Sequence, residues 1–147
     1  MEELRELYQQ IILEHYRNPR NFGEMPEATH RAEGNNPLCG DRLIIELRLE
    51  GDRIEDIRFR GSGCAISQAS ASVMTTLVKG ITVEEADALF ERFHRIVTGE
   101  LSPESATGAL AAFAGVREFP SRVKCATLPW HTLRAALHNV AEVVSTE

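Results

Sequence analysis

The stretch LIIELRLEGDRIEDIRF most constrains what this chain can become. Leu43, Ile45, Leu47 and Leu49 alternate with Ile44, Glu46, Arg48 and Glu50, and Gly51-Asp52 supplies a tight connection. Ile54, Ile57 and Phe59 then return with charged residues between them. A period of two sends successive side chains to opposite faces. The pattern therefore predicts an antiparallel hairpin with one face buried and the other wet.

Helical patterns flank the hairpin. Leu4, Leu7, Tyr8, Ile11, Ile12 and Leu13 mark an apolar face over Glu2 to Arg17. Asn18-Pro19 stops that helix, because a residue before proline avoids helical geometry. Thr29 to Ala32 reads as a short edge strand. After Arg60-Gly61-Ser62-Gly63 ends the hairpin, AISQASASVMTTLVKG has no breaker before Gly80 and reads as a helix packed closely on the sheet through small side chains. Thr82 with Glu85 forms a capping box opening a helix to Val97, which Thr98-Gly99 closes. Ser102-Pro103-Glu104 places proline at the first position of an Ala-rich helix to Ala114. A last helix starts near Pro120 or Ser121 and carries Val123, Ala126, Leu128, Leu133, Leu137 and Val140, with Pro129 bending its first turns. Helix, small antiparallel sheet, then several helices is an α+β order rather than alternating βαβ. The 147 residues, with no repeat or low-complexity linker, are expected to form one domain, residues 1–147.

The charge balance limits partners. A net charge of −6 argues against nucleic-acid binding, which needs a surplus of Lys and Arg on some face. Local pairs such as Arg58 with Arg60, or Arg122 with Lys124, read as solvated surface charge. No stretch approaches the roughly 20 apolar residues of a membrane span. MEELRELYQQ lacks the basic start and apolar run of a signal peptide. A cytoplasmic location is the resulting expectation. In that reducing compartment an odd count of three cysteines does not suggest a disulfide framework.

Each cysteine falls at a boundary between elements. Cys39 sits in the polar loop GNNPLCGD, Cys64 between the Gly-Ser-Gly turn and a helix, and Cys125 in the first turns of the last helix. Amides at a helix N-terminus favour negative charge, which lowers a thiol pKa from about 8.5. Arg122 and Lys124 push Cys125 the same way if they face it. Thiolates repel one another unless a cation neutralises them. In Cys39-Gly40-Asp41 the glycine permits an unusual backbone angle, so that residues i and i+2 turn toward one ion. Three thiolates and one carboxylate complete a tetrahedral zinc site, and iron–sulfur chemistry is the second thiophilic option. Spacing alone decides little: with no CxxC pair, plain packing of the cysteines and metal or redox chemistry both stay open.

The histidines add no motif. His15 and His94 lie on amphipathic helices, His30 in the edge segment, and His131 and His138 on one face of the last helix. Packing or solvation accounts for them. HExxH, GxSxG, the Walker loop and GxGxxG are all missing.

Four stretches together resemble one family: LYQQIILEHYRNPRNFG, NPLCGD, FRGSGCAISQASASVM and FPSRVKCATLPWHTL. The chain resembles, over nearly its whole length, the U-type iron–sulfur cluster assembly proteins, the NifU N-terminal and IscU-like family, and within it the SufU branch. The resemblance implies an α+β fold with a small antiparallel three-stranded sheet packed by several helices. It also implies that Cys39 and Asp41 of NPLCGD, Cys64 of GSGCAIS and Cys125 of RVKCATL meet at one exposed metal site. Arg122 and Lys124 would stand just behind these ligands. The IscU branch has a histidine before its third cysteine where this chain has Lys124, and LPPVK where it has FPSRVK. It also lacks the insertion containing Thr98 to Gly115. These departures argue against recognition by a dedicated Hsc-type chaperone and leave Asp41 as fourth ligand.

SufU-like proteins bind zinc and accept sulfur from a SufS-like cysteine desulfurase. The resemblance thus implies a zinc-dependent sulfurtransferase at most, with Cys39 as the persulfide acceptor and zinc as cofactor. The alternative is a scaffold on which the same residues build a [2Fe–2S] cluster that passes to apo iron–sulfur proteins or other assembly factors. A purely structural zinc module is a third reading. It ranks lower, because a chain of this length with 43% apolar residues is expected to have a core without metal.

Overall fold

The computed structural model describes residues 2–102, 108–139 and 143–146. Helix α1 spans Glu2–Arg17, followed by strands β1 His30–Asn36, β2 Asp41–Glu50 and β3 Arg53–Ser62. Helices α2 Ala65–Val78 and α3 Val83–Val97 come next, then a 3-10 segment Gly108–Glu118, helix α4 Pro120–Leu137 and a final short strand β4 Val144–Ser145.

The predicted hairpin forms the centre of the sheet. Leu43, Ile45, Leu47, Ile54, Ile57 and Phe59 are all fully buried. Each such side chain contributes about 1.5–3 kcal/mol relative to leaving it in water. Ile54 and Ile57 are three residues apart yet share the buried face, which strict alternation forbids. A bulge resolves this: Arg48 pairs with Asp56 and Leu49 with Ile54, so Glu55 is the extra residue on β3.

The sheet has four strands, not three, in the order β3-β2-β1-β4. The expectation missed β4, which pairs parallel to β1 through Gly34 with Val144 and Asn35 with Ser145. A two-residue strand leaves too short a pattern to read. The edge strand expected over Thr29 to Ala32 instead runs to Asn36, antiparallel to β2 along its whole length. Its second half, Glu33-Gly34-Asn35-Asn36, has little intrinsic strand preference. Packing decides it: a Cβ at Gly34 would collide with Thr132 Oγ1 of α4, so only glycine lets β1 lie this close to that helix.

Helices cover the apolar face of the sheet. Helix α1 ends where expected and packs Tyr8, Ile11 and Ile12 on the core, while Leu7 stays 54% exposed. The side chain of Leu4 lies outside the described residues. Helix α2 is buried along most of its length, including Ser70, Ser72 and Thr75. Its hydroxyls tie neighbours together. Ser72 Oγ accepts from the Arg20 N–H (2.9 Å) and pairs with His15 Nδ1 (2.7 Å), and Thr75 Oγ1 accepts from Asn21 Nδ2. Ser70 Oγ donates to the Ala126 carbonyl (2.6 Å) and accepts from Trp130 Nε1 (3.2 Å). These bonds fix α2 against α1 and α4.

Helix α3 has the expected capping box between Thr82 and Glu85 and ends at Val97. The Ala-rich helix expected from Ser102 to Ala114 is different. Its start falls at residues 103–107, outside the described residues, and Gly108–Glu118 is 3-10 rather than α. Leu110, Phe113 and Val116 explain the choice: spaced by three, they share one face of a helix with three residues per turn, and all are buried. Phe93 bridges this segment to α4, its ring 5.8 Å from Phe113 and stacked 4.7 Å from Trp130. Helix α4 begins with Pro120 at its N-terminus and contains Pro129. Lacking an N–H, Pro129 cannot bond to the carbonyl four residues earlier, which belongs to Cys125. Val140, expected on this helix, lies outside the described residues. No helix among the described residues is long and apolar enough to cross a membrane.

Candidate metal centre

Three chain segments converge at one end of the sheet. The turn Pro37 to Gly40 joins β1 to β2 and is closed by the pairing of Asn36 with Asp41. The Cys39 N–H donates to the Asn36 carbonyl at 3.3 Å. Gly40 has a φ of +69°, the left-handed conformation that glycine adopts without penalty. It turns the chain so that Cys39 and Asp41 face the same side, as the Cys-Gly-Asp spacing predicts. Cys64 is the N-cap of α2, with amides of the first turn beyond it. Cys125 lies in the second turn of α4.

Ligand atoms of Cys39, Asp41 and Cys125 all lie within 4.8 Å of one another. The Cys39 and Cys125 sulfurs are 2.9 Å apart. Asp41 and Cys125 are completely buried, whereas Cys39 is partly open to solvent and its neighbour Leu38 is 71% exposed. Cys64 stands beside this group. Its N–H donates to Asp41 Oδ1 at 2.7 Å, and its sulfur is 3.8 Å from Asp41 Oδ2. All three cysteines are free thiols.

The electrostatics separate the thiols. Cys64 is pulled down to about 6, first by a hydrogen bond from the Cys125 thiol; burial opposes this and Ser67 adds to it. Cys125 is pushed well above the usual thiol range, first by that same bond to Cys64, then by burial and by its contacts with Cys39 and Asp41. The Cys125 thiol, 2.9 Å from the Cys39 sulfur, is thus the one that its neighbours and burial hold against ionisation. Arg122, itself exposed, is held more firmly protonated by the charge on Cys64, by a hydrogen bond with Cys125 and by Cys39. The sulfurs and the Arg122 cation thus stabilise each other's charge. Lys124 supplies its carbonyl, which accepts from Thr146 Oγ1 at 3.2 Å.

The donor set fits a thiophilic ion. Thiolate sulfurs and one carboxylate oxygen are the ligand types of zinc sites. Gathering them at one point without a cation is electrostatically unfavourable. Asn36 was not singled out from the sequence. It is completely buried, and its Nδ2 lies 3.7 Å from the Cys125 sulfur while its Oδ1 has no partner among the described residues. The only signal for it was the Asn-Pro step opening the loop, which reads as a turn rather than a site.

A family model described as the NifU-like N-terminal domain matches residues 7–126. The chain belongs to that family. It is 44% identical over 128 residues to a protein of Bacillus subtilis named zinc-dependent sulfurtransferase SufU, covering 86% of each chain. It is 38% identical over 142 residues to a Streptococcus pyogenes protein named iron–sulfur cluster assembly scaffold protein IscU, covering 96% of this chain and 89% of that one. Among solved structures it resembles a candidate iron–sulfur cluster assembly scaffold protein for the SUF system from Fervidobacterium islandicum. That match has a TM-score of 0.82 and 36% identity, over 87% of this chain and 94% of the other.

Proposed function

We propose that this chain is an iron–sulfur cluster assembly protein that accepts sulfur from a cysteine desulfurase onto Cys39, at a zinc site held by Cys39, Asp41, Cys64 and Cys125. The observation that carries the reading is the convergence of Cys39, Asp41 and Cys125 within 4.8 Å from distant parts of the chain. Cys64 enters as fourth ligand through its shared contacts with Asp41 and Cys125.

Bound zinc keeps thiolates deprotonated at neutral pH without redox chemistry of its own. The chain's residues do the rest. Cys39, on a turn with an exposed leucine beside it, is the sulfur a partner can reach. Its thiolate attacks the outer sulfur of the desulfurase persulfide. A new S–S bond forms on Cys39, the old one breaks, and the partner cysteine leaves as thiolate. Asp41 offers oxygen, a harder donor than sulfur and the more readily displaced. Arg122 places positive charge where the anionic sulfurs meet. The reading sets this work in the cytoplasm, where free thiols persist, with apo iron–sulfur proteins or other assembly factors as later recipients.

The test has two stages. The protein is purified natively without added metal, and zinc and iron are both counted; about one zinc per chain is expected. It is then mixed with a cysteine desulfurase and cysteine, and sulfide release is followed. A Cys39→Ala variant that stimulates release as well as the parent refutes the acceptor role. The similarity to the Streptococcus scaffold supports a second reading, in which these residues hold a [2Fe–2S] cluster. Anaerobic reconstitution followed by transfer to an apo-acceptor separates the two.

A further inference from the structure

We propose that Asn36 is a positioning residue of this centre: its side-chain amide donates to the Cys125 sulfur and fixes Cys125 as the retained ligand, leaving Cys39 as the sulfur that departs to react. The inference rests on the reading of Cys39 as sulfur acceptor and explains what distinguishes it from its neighbour.

Asn36 touches three of the proposed ligands, Cys39, Asp41 and Cys125. Its backbone pairs with Asp41 across the β1–β2 turn, and its carbonyl accepts the Cys39 N–H at 3.3 Å. Its Nδ2 points at the Cys125 sulfur, 3.7 Å away. The other end of the amide is the telling part. Oδ1 is buried with no partner among the described residues, in a side chain with no exposure at all. A leucine, with the same branched shape, would occupy this space without leaving an oxygen unpaired, so tertiary packing alone does not call for an amide. With zinc bound Cys125 would be a thiolate, and the reverse orientation would turn the oxygen lone pairs toward that anion. Only with Nδ2 on the sulfur does the amide have a favourable partner.

An N–H bonded to a metal thiolate draws electron density from sulfur. The bond makes that sulfur a weaker nucleophile, and bonds of this kind orient the ligand. Cys125 has this donor, sits wholly buried, and is anchored by α4. Cys39 sits on a glycine turn, and among the described residues no amide or hydroxyl hydrogen bonds to its sulfur. The two sulfurs, neighbours at 2.9 Å, thus differ in that the Asn36 side-chain amide reaches only Cys125.

The test uses the full-length chain loaded with zinc, and separately with cobalt(II). Each cysteine's alkylation by iodoacetamide is timed by peptide mass mapping. In the parent, Cys39 reacts first and Cys125 last. Asn36→Leu keeps the branched shape and the number of heavy atoms and removes the donor. It is expected to speed Cys125 alkylation about tenfold, leave Cys39 unchanged, and move the sulfur-to-cobalt charge-transfer band to lower energy. A loosened fold would speed all three thiols together and leave the band in place. An Asn36→Leu protein that is folded and metal-loaded, with the parent's reaction order and band, overturns the proposal. If Asn36→Leu does not fold, Asn36→Asp, of equal size but acceptor-only when ionised, should show the same changes; failure of both to fold with metal present also overturns it. A parent that binds no metal refutes the sulfur-acceptor reading instead, and the retained-ligand role with it.

Discussion

Gly63 lies against Asp41 with no room for a β-carbon between them. A Cβ at Gly63 would sit 2.9 Å from the Asp41 Cα and 3.0 Å from Ser67 Oγ, and would collide with Asp41 Oδ1. The backbone there has a φ of +155°, which side chains rarely adopt. Gly63→Ala therefore combines backbone strain with overpacking, costing about 2–5 kcal/mol, and displaces the carboxylate from the metal centre. Urea unfolding and zinc stoichiometry are the measurements. Gly80→Ala is the control, since its φ of +91° is also strained but nothing lies within 4 Å. It should cost only about 1–2 kcal/mol and leave zinc bound. Equal losses in the two variants would show that the contact with Asp41 does not matter.

That contact marks the border of what the amino-acid sequence discloses. The hairpin was legible because apolar residues alternate from Leu43 to Leu49 and return after Gly51-Asp52, and α3 because Thr82 and Glu85 are a local capping device. The cluster was legible through Cys-Gly-Asp, where Gly40 does turn the chain, and through the family motifs. The missing parts depend on distant neighbours. Glu33 to Asn36 becomes strand because Gly34 fits under Thr132. Strand β4 forms only against Gly34 and Asn35. The 3-10 segment follows its spacing of three, a period close enough to 3.6 to be read as α over so short a run. Asn36 gave only a turn signal, because its chemistry lies with a sulfur 89 residues away.

The proximity of Cys39 and Cys125, 2.9 Å between sulfurs, makes them the pair to oxidise when no metal holds them. Metal-free protein treated with diamide should lose two thiols and form a Cys39–Cys125 disulfide, the diamide taking up the two electrons and two protons. Non-reducing peptide mapping identifies the bridge. Zinc-loaded protein should resist, because both sulfurs are then ligands. A Cys39–Cys64 bridge as the main product would mean that this contact does not persist in solution.

Removing the metal should weaken the fold without abolishing it. Leu43, Ile45, Leu47, Phe59, Phe93, Phe113 and Trp130 are buried in a core that needs no ion. Ligand binding adds stability on top of that core, about 4 kcal/mol when free zinc exceeds its dissociation constant a thousandfold. Chelated protein should still melt cooperatively, at a Tm lower by roughly 10 °C. A broad, non-cooperative melt would mean instead that the ion organises the core.

His15 makes the docking of α1 sensitive to acid. Its pKa is lowered first by burial and then by the Arg20 cation, with Glu14 pulling the other way. Its Nδ1 pairs with Ser72 Oγ of α2 at 2.7 Å. A histidine whose folded pKa is depressed takes up its proton more readily in the unfolded chain, so stability rises with pH across that interval. The contribution is fully present above the unfolded value of about 6.5 and is lost as pH falls from there toward the folded one. His131 adds in the same direction, lowered by burial and by His94 and Arg134. Cys64, brought down to about 6, also favours the folded state at higher pH, so the parent must be compared with a variant. His15→Asn keeps a polar group near Ser72 and removes the titration. In metal-free protein, the fall in Tm between about pH 7.5 and 5 should be smaller in His15→Asn than in the parent, and smaller again when His131→Asn is added. Parallel Tm curves for all three proteins would show that neither imidazole is held neutral by its surroundings.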